Sequence, residues 1–316
     1  LGLVGGVGRG GKGGAKKDPV VGVEHFTLIN FVGYVYYIPL YIAGPISPFN
    51  SWVVQVVGAK VSGWKGLVTT RQWLKNLAQV VLYAVLLEVF LHVWLYVSIN
   101  NNRTWASHRA GPMAGWEVAW GGLFTLQFMY LKFMTIWRFF RVWSVADGVD
   151  VTENMGRCVN NNYTFSGFWR QWHSSLNQWI IKYLYVPLGG SKTQHWNMWL
   201  VFTFIGLWHD LMWRWLAWAW LNCIFFSMEL GVKKASKMKL FKPLRDNSLL
   251  WTCIVGVGGS INIHLLIIAN LAIMHGFQGS RQFLQSIFTY EEGRYNGSLW
   301  VLPGTFAFFF VNCMSM

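Results

Sequence analysis

FWRQWHSSLNQWIIKYLYVPLGG, residues Phe168 to Gly190, is aromatic and apolar along most of its length. It nevertheless carries Arg170, His173 and Lys182, and it closes on Pro187-Leu188-Gly189-Gly190. Read as a helix, Phe168, Trp172, Leu176, Trp179, Ile180 and Tyr183 share one face. Arg170, His173, Ser174 and Asn177 form a polar stripe at helical spacing. The spacing predicts one amphipathic helix from Phe168 to Pro187, lying flat at a membrane interface and ended by proline and glycine. Asn177, four residues after His173, would be placed to orient the imidazole. The same pattern also fits a plain interfacial anchor whose histidine is merely satisfied.

The rest of the chain makes a membrane the natural solvent for such a helix. Of 316 residues, 54% are hydrophobic and 12% charged, against about 25% charged in a soluble domain. There are 21 tryptophans and 23 phenylalanines. The net charge is +14, from 26 Lys and Arg against 12 Asp and Glu. These basic residues fall in short loops between apolar runs. That placement points to topology signals and anionic lipid headgroups, with no nucleic-acid partner. Cys158, Cys223, Cys253 and Cys313 are far apart, so neither a disulfide framework nor a metal site is readable.

Residues 1–20 are Gly- and Lys-rich and predict a disordered segment or linker; residues 21–316 read as one membrane domain. Gly6 to Lys12 imitates a phosphate loop, but Gly13 stands where Ser or Thr is needed and no apolar strand precedes it. A start at Leu1 and a stop at Met316 within an apolar run predict a piece of a longer membrane protein.

Apolar segments are expected at Phe26–Gly44 (broken by Pro39), Val80–Ile99, Trp116–Trp137, His195–Phe226, Leu249–Met274 and Trp300–Met316. Loop charge orients them. The basic loop Lys233, Lys234, Lys237, Lys239, Lys242 and Arg245 is placed in the cytosol, as are Lys60, Lys65, Arg71 and Lys75. The sequons at Asn102 and Asn296 then fall in the lumen, and the one at Asn162 stays cytosolic and unused. His195–Phe226 would be roughly 48 Å as one helix, too long for a core of about 30 Å. It is therefore expected to enter and return, with His209 and Asp210 at the bend. Glu88 and His92 read as a clamp or a tunnel lining, and His264 and His275 as interfacial.

An ionisable group inside a membrane run costs at least about 2.5 kcal/mol, so Trp208-His209-Asp210 with Arg214 marks either a function or a polar clamp between helices. Here a resemblance enters. Phe168-Trp169-Arg170-Gln171-Trp172-His173, the turn Tyr185-Val186-Pro187-Leu188-Gly189-Gly190 and the later Trp208-His209 resemble the motifs of the membrane-bound O-acyltransferase (MBOAT) family. Tyr36 to Asn50 resembles that family's proline-rich segment. Val151 to Val159, VTENMGRCV, is most similar to its glycerol-uptake (Gup) and hedgehog-acyltransferase-like branch. Asp210 departs from the Gly common after the second histidine.

The resemblance implies an all-α, multi-pass transmembrane bundle with re-entrant and interfacial helices, in the endoplasmic reticulum membrane. It implies an O-acyltransferase that moves a long acyl chain from acyl-CoA, its co-substrate, to a hydroxyl of a lipid or small acceptor, such as a GPI-anchor precursor. No cofactor is implied. His209 matches the catalytic histidine and His173 the supporting motif position. Arg170, Trp172, Asn177, Trp208 and Asp210 are the substrate-binding candidates. A neutral imidazole suits removal of a hydroxyl proton at physiological pH. The competing reading is a glycerol/proton transporter using Glu88, His92 and His209; it would call for repeats and paired broken helices, which are not seen. A scaffold without activity is a third.

Overall fold

The computed structural model describes residues 19, 21–57, 68–102, 115–288, 290–291, 294–295 and 301–314. The phosphate-loop mimic, Lys60, Lys65 and the sequon at Asn296 lie outside the described residues. So do Arg103 and Thr104 of the sequon at Asn102.

The protein is all-α. Its helices are α1 (Leu28–Val35), α2 (Ile38–Ile42), α3 (Phe49–Val56), α4 (Thr70–Val93), α5 (Tyr96–Asn102), α6 (Gly115–Ala146), α7 (Phe165–Gln171), α8 (Ser174–Ile180), α9 (Gln194–His209), α10 (Trp213–Ala235), α11 (Lys242–Asp246), α12 (Ser248–Phe288) and α13 (Val301–Met314). A two-residue antiparallel pair, Tyr290–Glu291 with Arg294–Tyr295, is the one strand pairing among the described residues.

Helix starts follow short polar side chains that accept orphan N–H groups. Thr27 Oγ1 accepts from Asn30 N–H (3.2 Å), Thr164 Oγ1 from Gly167 N–H (3.0 Å) and Asn247 Oδ1 from Leu250 N–H (3.0 Å). The segment from Phe26 to Gly44 is broken as expected. It forms α1 and α2, with Pro39 in the first turn of α2, where its missing N–H costs nothing.

Three helices are long and apolar enough to cross a membrane: Thr70–Val93, Trp213–Ala235 and Ser248–Gly276. The first starts ten residues before the expected Val80 and stops at Val93, with α5 following separately. Almost none of it is buried, and Val81, Leu82, Val85, Leu86 and Val89 are all exposed along it, as lipid contact requires. The third matches the expected Leu249–Met274. It ends where Gly276 adopts φ 69°, ψ 172°, a conformation open to glycine, and the chain bends before continuing to Phe288. The expected span Trp116–Trp137 lies within α6, which is not among the three. The expected span Trp300–Met316 is seen as α13, an apolar helix of 14 residues.

The described residues fall into two compact units. The first draws on Leu1–Val89, Tyr130–Arg157 and Trp169–Ser191. Its core packs Trp52, Val53, Val54, Val149 and Val151 against Tyr34, Tyr37, Leu40 and Phe49. The second draws on Phe90–Met129, Cys158–Phe168 and Lys192–Met316. Its core joins Val118, Leu271, Phe283, Ile287 and Val301. His264 also belongs there, and it corrects an expectation. It sits in the middle of the membrane-length part of α12. Its Nδ1 faces Ser260 O (2.8 Å) and its Nε2 faces Thr305 Oγ1 (3.1 Å), so it ties α12 to α13 and is not interfacial.

Candidate functional site

In the first unit, the stretch from Phe168 to Pro187 is not one helix. α7 ends at Gln171, Trp172 forms an isolated antiparallel bridge with Met155, and His173 takes φ 49°, ψ 53°. Helix resumes as α8 and passes into a π-helical turn, Ile181–Tyr185. His173 is the one non-glycine residue with positive φ among those described. For a residue with a Cβ this left-handed conformation costs about 1–2 kcal/mol, so the surroundings must hold it.

They do so through the segment Val151–Val159. Asn154, wholly buried, accepts from two of the free N–H groups at the start of α8: Ser174 N–H donates to its backbone O (3.1 Å) and Ser175 N–H to its Oδ1 (3.1 Å). The Ser174 hydroxyl donates to the Glu153 carbonyl. Gly156 passes so close to Gln171 that a Cβ there would meet Gln171 Oε1 at 2.2 Å. The half-buried His173 ring packs edge-on against Trp137, with centroids 4.4 Å apart and planes at 61°. Trp172 meets Phe133 and Trp137, each at 5.8 Å.

The expected polar stripe is therefore split. Arg170 is exposed at the end of α7, Ser174 is buried against Glu153, and Asn177 is half-buried in α8, its N–H donating to the His173 carbonyl. The His173 ring contact with Trp137 comes from α6 and not from the helix that follows it. Arg138 and Arg141 are both engaged within the first unit. Arg138 donates to Gln79 Oε1 (2.8 Å), pairs with Glu153 (3.3 Å) and lies over the Tyr83 ring. Arg141 donates to Val151 O (2.9 Å) and pairs with Asp150 (3.3 Å).

In the second unit, the expected turn-back is present. α9 ends at His209, three residues follow, and α10 begins at Trp213. The pairing is antiparallel. Trp220 Nε1–H donates to Thr203 Oγ1 (3.0 Å), while Gly206 opposes Leu216 and Ala219. Gly206 allows the close approach, since a Cβ there would meet Leu216 Cα at 3.1 Å and Trp215 O at 3.2 Å. Asp210, exposed and extended, ends the helix.

The hairpin tip is aromatic. The His209 ring stacks on Trp215 at 4.6 Å with planes 6° apart, and stands edge-on to Trp208 (4.8 Å) and Trp218 (5.4 Å). His209 is itself exposed, so its ring is held in direction yet reachable. Arg214 lies over Trp215 at 5.7 Å. Such an imidazole can accept a proton from a hydroxyl brought to it.

One group in this unit escaped the reading of the sequence. Glu229, in the membrane-length helix α10, is buried. Its carboxylate accepts from Phe165 N–H, from the Ser166 hydroxyl (2.8 Å), from Asn262 Nδ2 (3.4 Å) and from Lys233 Nζ. A negative group at the N-terminus of α7 satisfies its free N–H and its dipole together. The signal was present: an acid four residues before Lys233 inside an apolar helix.

With this geometry in view, the sequence comparisons have a physical counterpart. The profile of the membrane-bound O-acyltransferase family matches residues 14–271. The chain belongs to this MBOAT family. It is 34% identical to the membrane-bound O-acyltransferase GUP1 of Candida tropicalis over 281 residues, 86% of this chain and 44% of that protein. It is 35% identical to GUP2 of Saccharomyces cerevisiae over 282 residues, again 86% of this chain and 43% of that protein. The mouse protein-cysteine N-palmitoyltransferase HHAT is 24% identical over 277 residues, 81% of this chain and 51% of that protein. This MBOAT chain spans about half the length of the relatives it matches.

Proposed function

We propose that this MBOAT chain transfers a long acyl group from acyl-CoA to a hydroxyl of a lipid acceptor. His209 acts as the general base and His173 supports it. The observation that carries the reading is the tip of the α9–α10 hairpin, where a reachable imidazole is stacked on Trp215. His209 takes the proton of the acceptor hydroxyl as its oxygen attacks the thioester carbon. The carbon–sulfur bond then breaks, and the CoA thiolate leaves with that proton. His173 is assigned its supporting role from its motif position, and its imidazole has the donor that a carbonyl oxygen turning negative would need. Its held left-handed backbone is the kind of strain that collects at working sites. Trp172, Asn177, Trp208 and Asp210 are the substrate-binding candidates of this reading.

In this reading Arg170, exposed at the end of α7, meets the donor phosphates. The names of the relatives, O-acyltransferases and an N-palmitoyltransferase, agree on transfer of an acyl group. A GPI-anchor precursor as acceptor and residence in the endoplasmic reticulum belong to the same proposal.

Purified protein given radiolabelled acyl-CoA and a lyso-lipid, with no gradient, should form acylated lipid. His209→Ala should keep its fold and lose about 10²–10⁴ in rate. Near-normal turnover in that variant removes His209 from the base role. Glycerol flux without acylated product would favour a carrier instead.

A further inference from the structure

The end of α10 and the connection through α11 to α12 carry Lys233, Lys234, Lys237, Lys239, Lys242 and Arg245, with Asp246 as their one acid. This stretch is a built cap. The Arg245 guanidinium donates to the backbone carbonyls of Ser236 and of Met238 (3.2 Å). The Ser236 hydroxyl donates to Lys233 O (2.9 Å), Phe241 N–H to Met238 O (3.2 Å), and Asn247 caps α12. Two of the six cations are thus committed, Lys233 to Glu229 and Arg245 to the loop itself. The other four, Lys234, Lys237, Lys239 and Lys242, are exposed and join no ion pair among the described residues.

Large apolar side chains are exposed between them. Met238 is 57%, Leu240 77% and Leu249 71% exposed. Both flanking helices are of membrane length and apolar, so the loop sits at a bilayer face. Lysines alone would suit any phosphate, including that of a soluble nucleotide. Lysines interleaved with exposed Met and Leu suit a surface that is anionic outside and hydrocarbon just beneath.

We propose that this cap is a docking surface for anionic phospholipid headgroups of the surrounding leaflet. Lys234, Lys237, Lys239 and Lys242 bind the phosphates and carboxylates, while Met238, Leu240 and Leu249 enter the acyl boundary. A lysine near an anionic surface is worth about a fivefold preference, and salt screens it.

The test uses the whole protein in phosphatidylcholine vesicles containing trace spin-labelled lipid. Electron paramagnetic resonance then compares motionally restricted phosphatidylserine with phosphatidylcholine. The protein should hold phosphatidylserine several-fold better at low salt. That preference should fall towards unity at 1 M salt, and in a variant with Lys234, Lys237, Lys239 and Lys242 all changed to Gln. The matching Lys→Arg variant should retain it. Equal restriction of both lipids by the unaltered protein overturns the proposal without needing any variant. So does a preference that survives the four Gln substitutions. Displacement of the labelled phosphatidylserine by micromolar free CoA would assign the lysines to a soluble phosphate and also overturn it.

Discussion

His173 carries the cost of a left-handed backbone, φ 49°. Its left-handed backbone is held by Asn154, by the Glu153 carbonyl and by the Met155–Trp172 bridge. Glycine accepts that conformation without the Cβ penalty, and alanine does not. His173→Gly should therefore match or exceed His173→Ala in Tm, although glycine also loosens the unfolded chain by about 0.4–1 kcal/mol. Both variants should lose acyl transfer if the imidazole works as proposed. Thermal unfolding in detergent, run beside a turnover assay, reads both effects. A glycine variant clearly less stable than the alanine variant would mean that the strain is not borne at residue 173. The histidine itself was legible as a site candidate from its motif. Its conformation was not, because the apolar spacing runs unbroken across Trp172 and Leu176 and no glycine marks the break.

Among the elements, α10 carries two assignments. Its first turns press Trp215 and Trp218 against His209, and its later turns bring Glu229 to the start of α7. The hairpin was readable from length alone, since a run of 32 residues from His195 to Phe226 exceeds one crossing. The Glu229 clamp was not singled out, because a lone acid can be drawn towards any of several donors. Glu229→Ala removes the acceptor for Phe165 N–H and Ser166 and should destabilise the protein by about 1–3 kcal/mol. Lys233→Ala should cost less. Lys233 is half exposed, and the carboxylate keeps its donors from Phe165, Ser166 and Asn262. Denaturation midpoints of the two variants rank them, and the reverse order would show that the lysine carries the network.

For the molecule as a whole, loop charge predicts that the stretch from Phe168 to Pro187 faces the cytosol. A cysteine introduced at Arg170 or at Lys182 should react with an impermeant maleimide in sealed microsomes, above the labelling of the parent protein. Labelling only after permeabilisation overturns that topology. Composition was enough to say that this chain lives in a membrane, because so many aromatic and aliphatic side chains call for an apolar solvent. The two histidine motifs were enough to name the family. Long-range contacts settled what local patterns leave open. The segment Val151–Val159, known from the sequence only as a family likeness, proves to be the support of His173, since Asn154 supplies the acceptors that α8 needs at its first turn. Arg138 and Arg141, which look available in the sequence, are used up by Gln79, Glu153, Val151 and Asp150. A hydrogen-bond partner 20 or 60 residues away imposes no periodicity, so only the folded chain can reveal which polar groups are already spoken for.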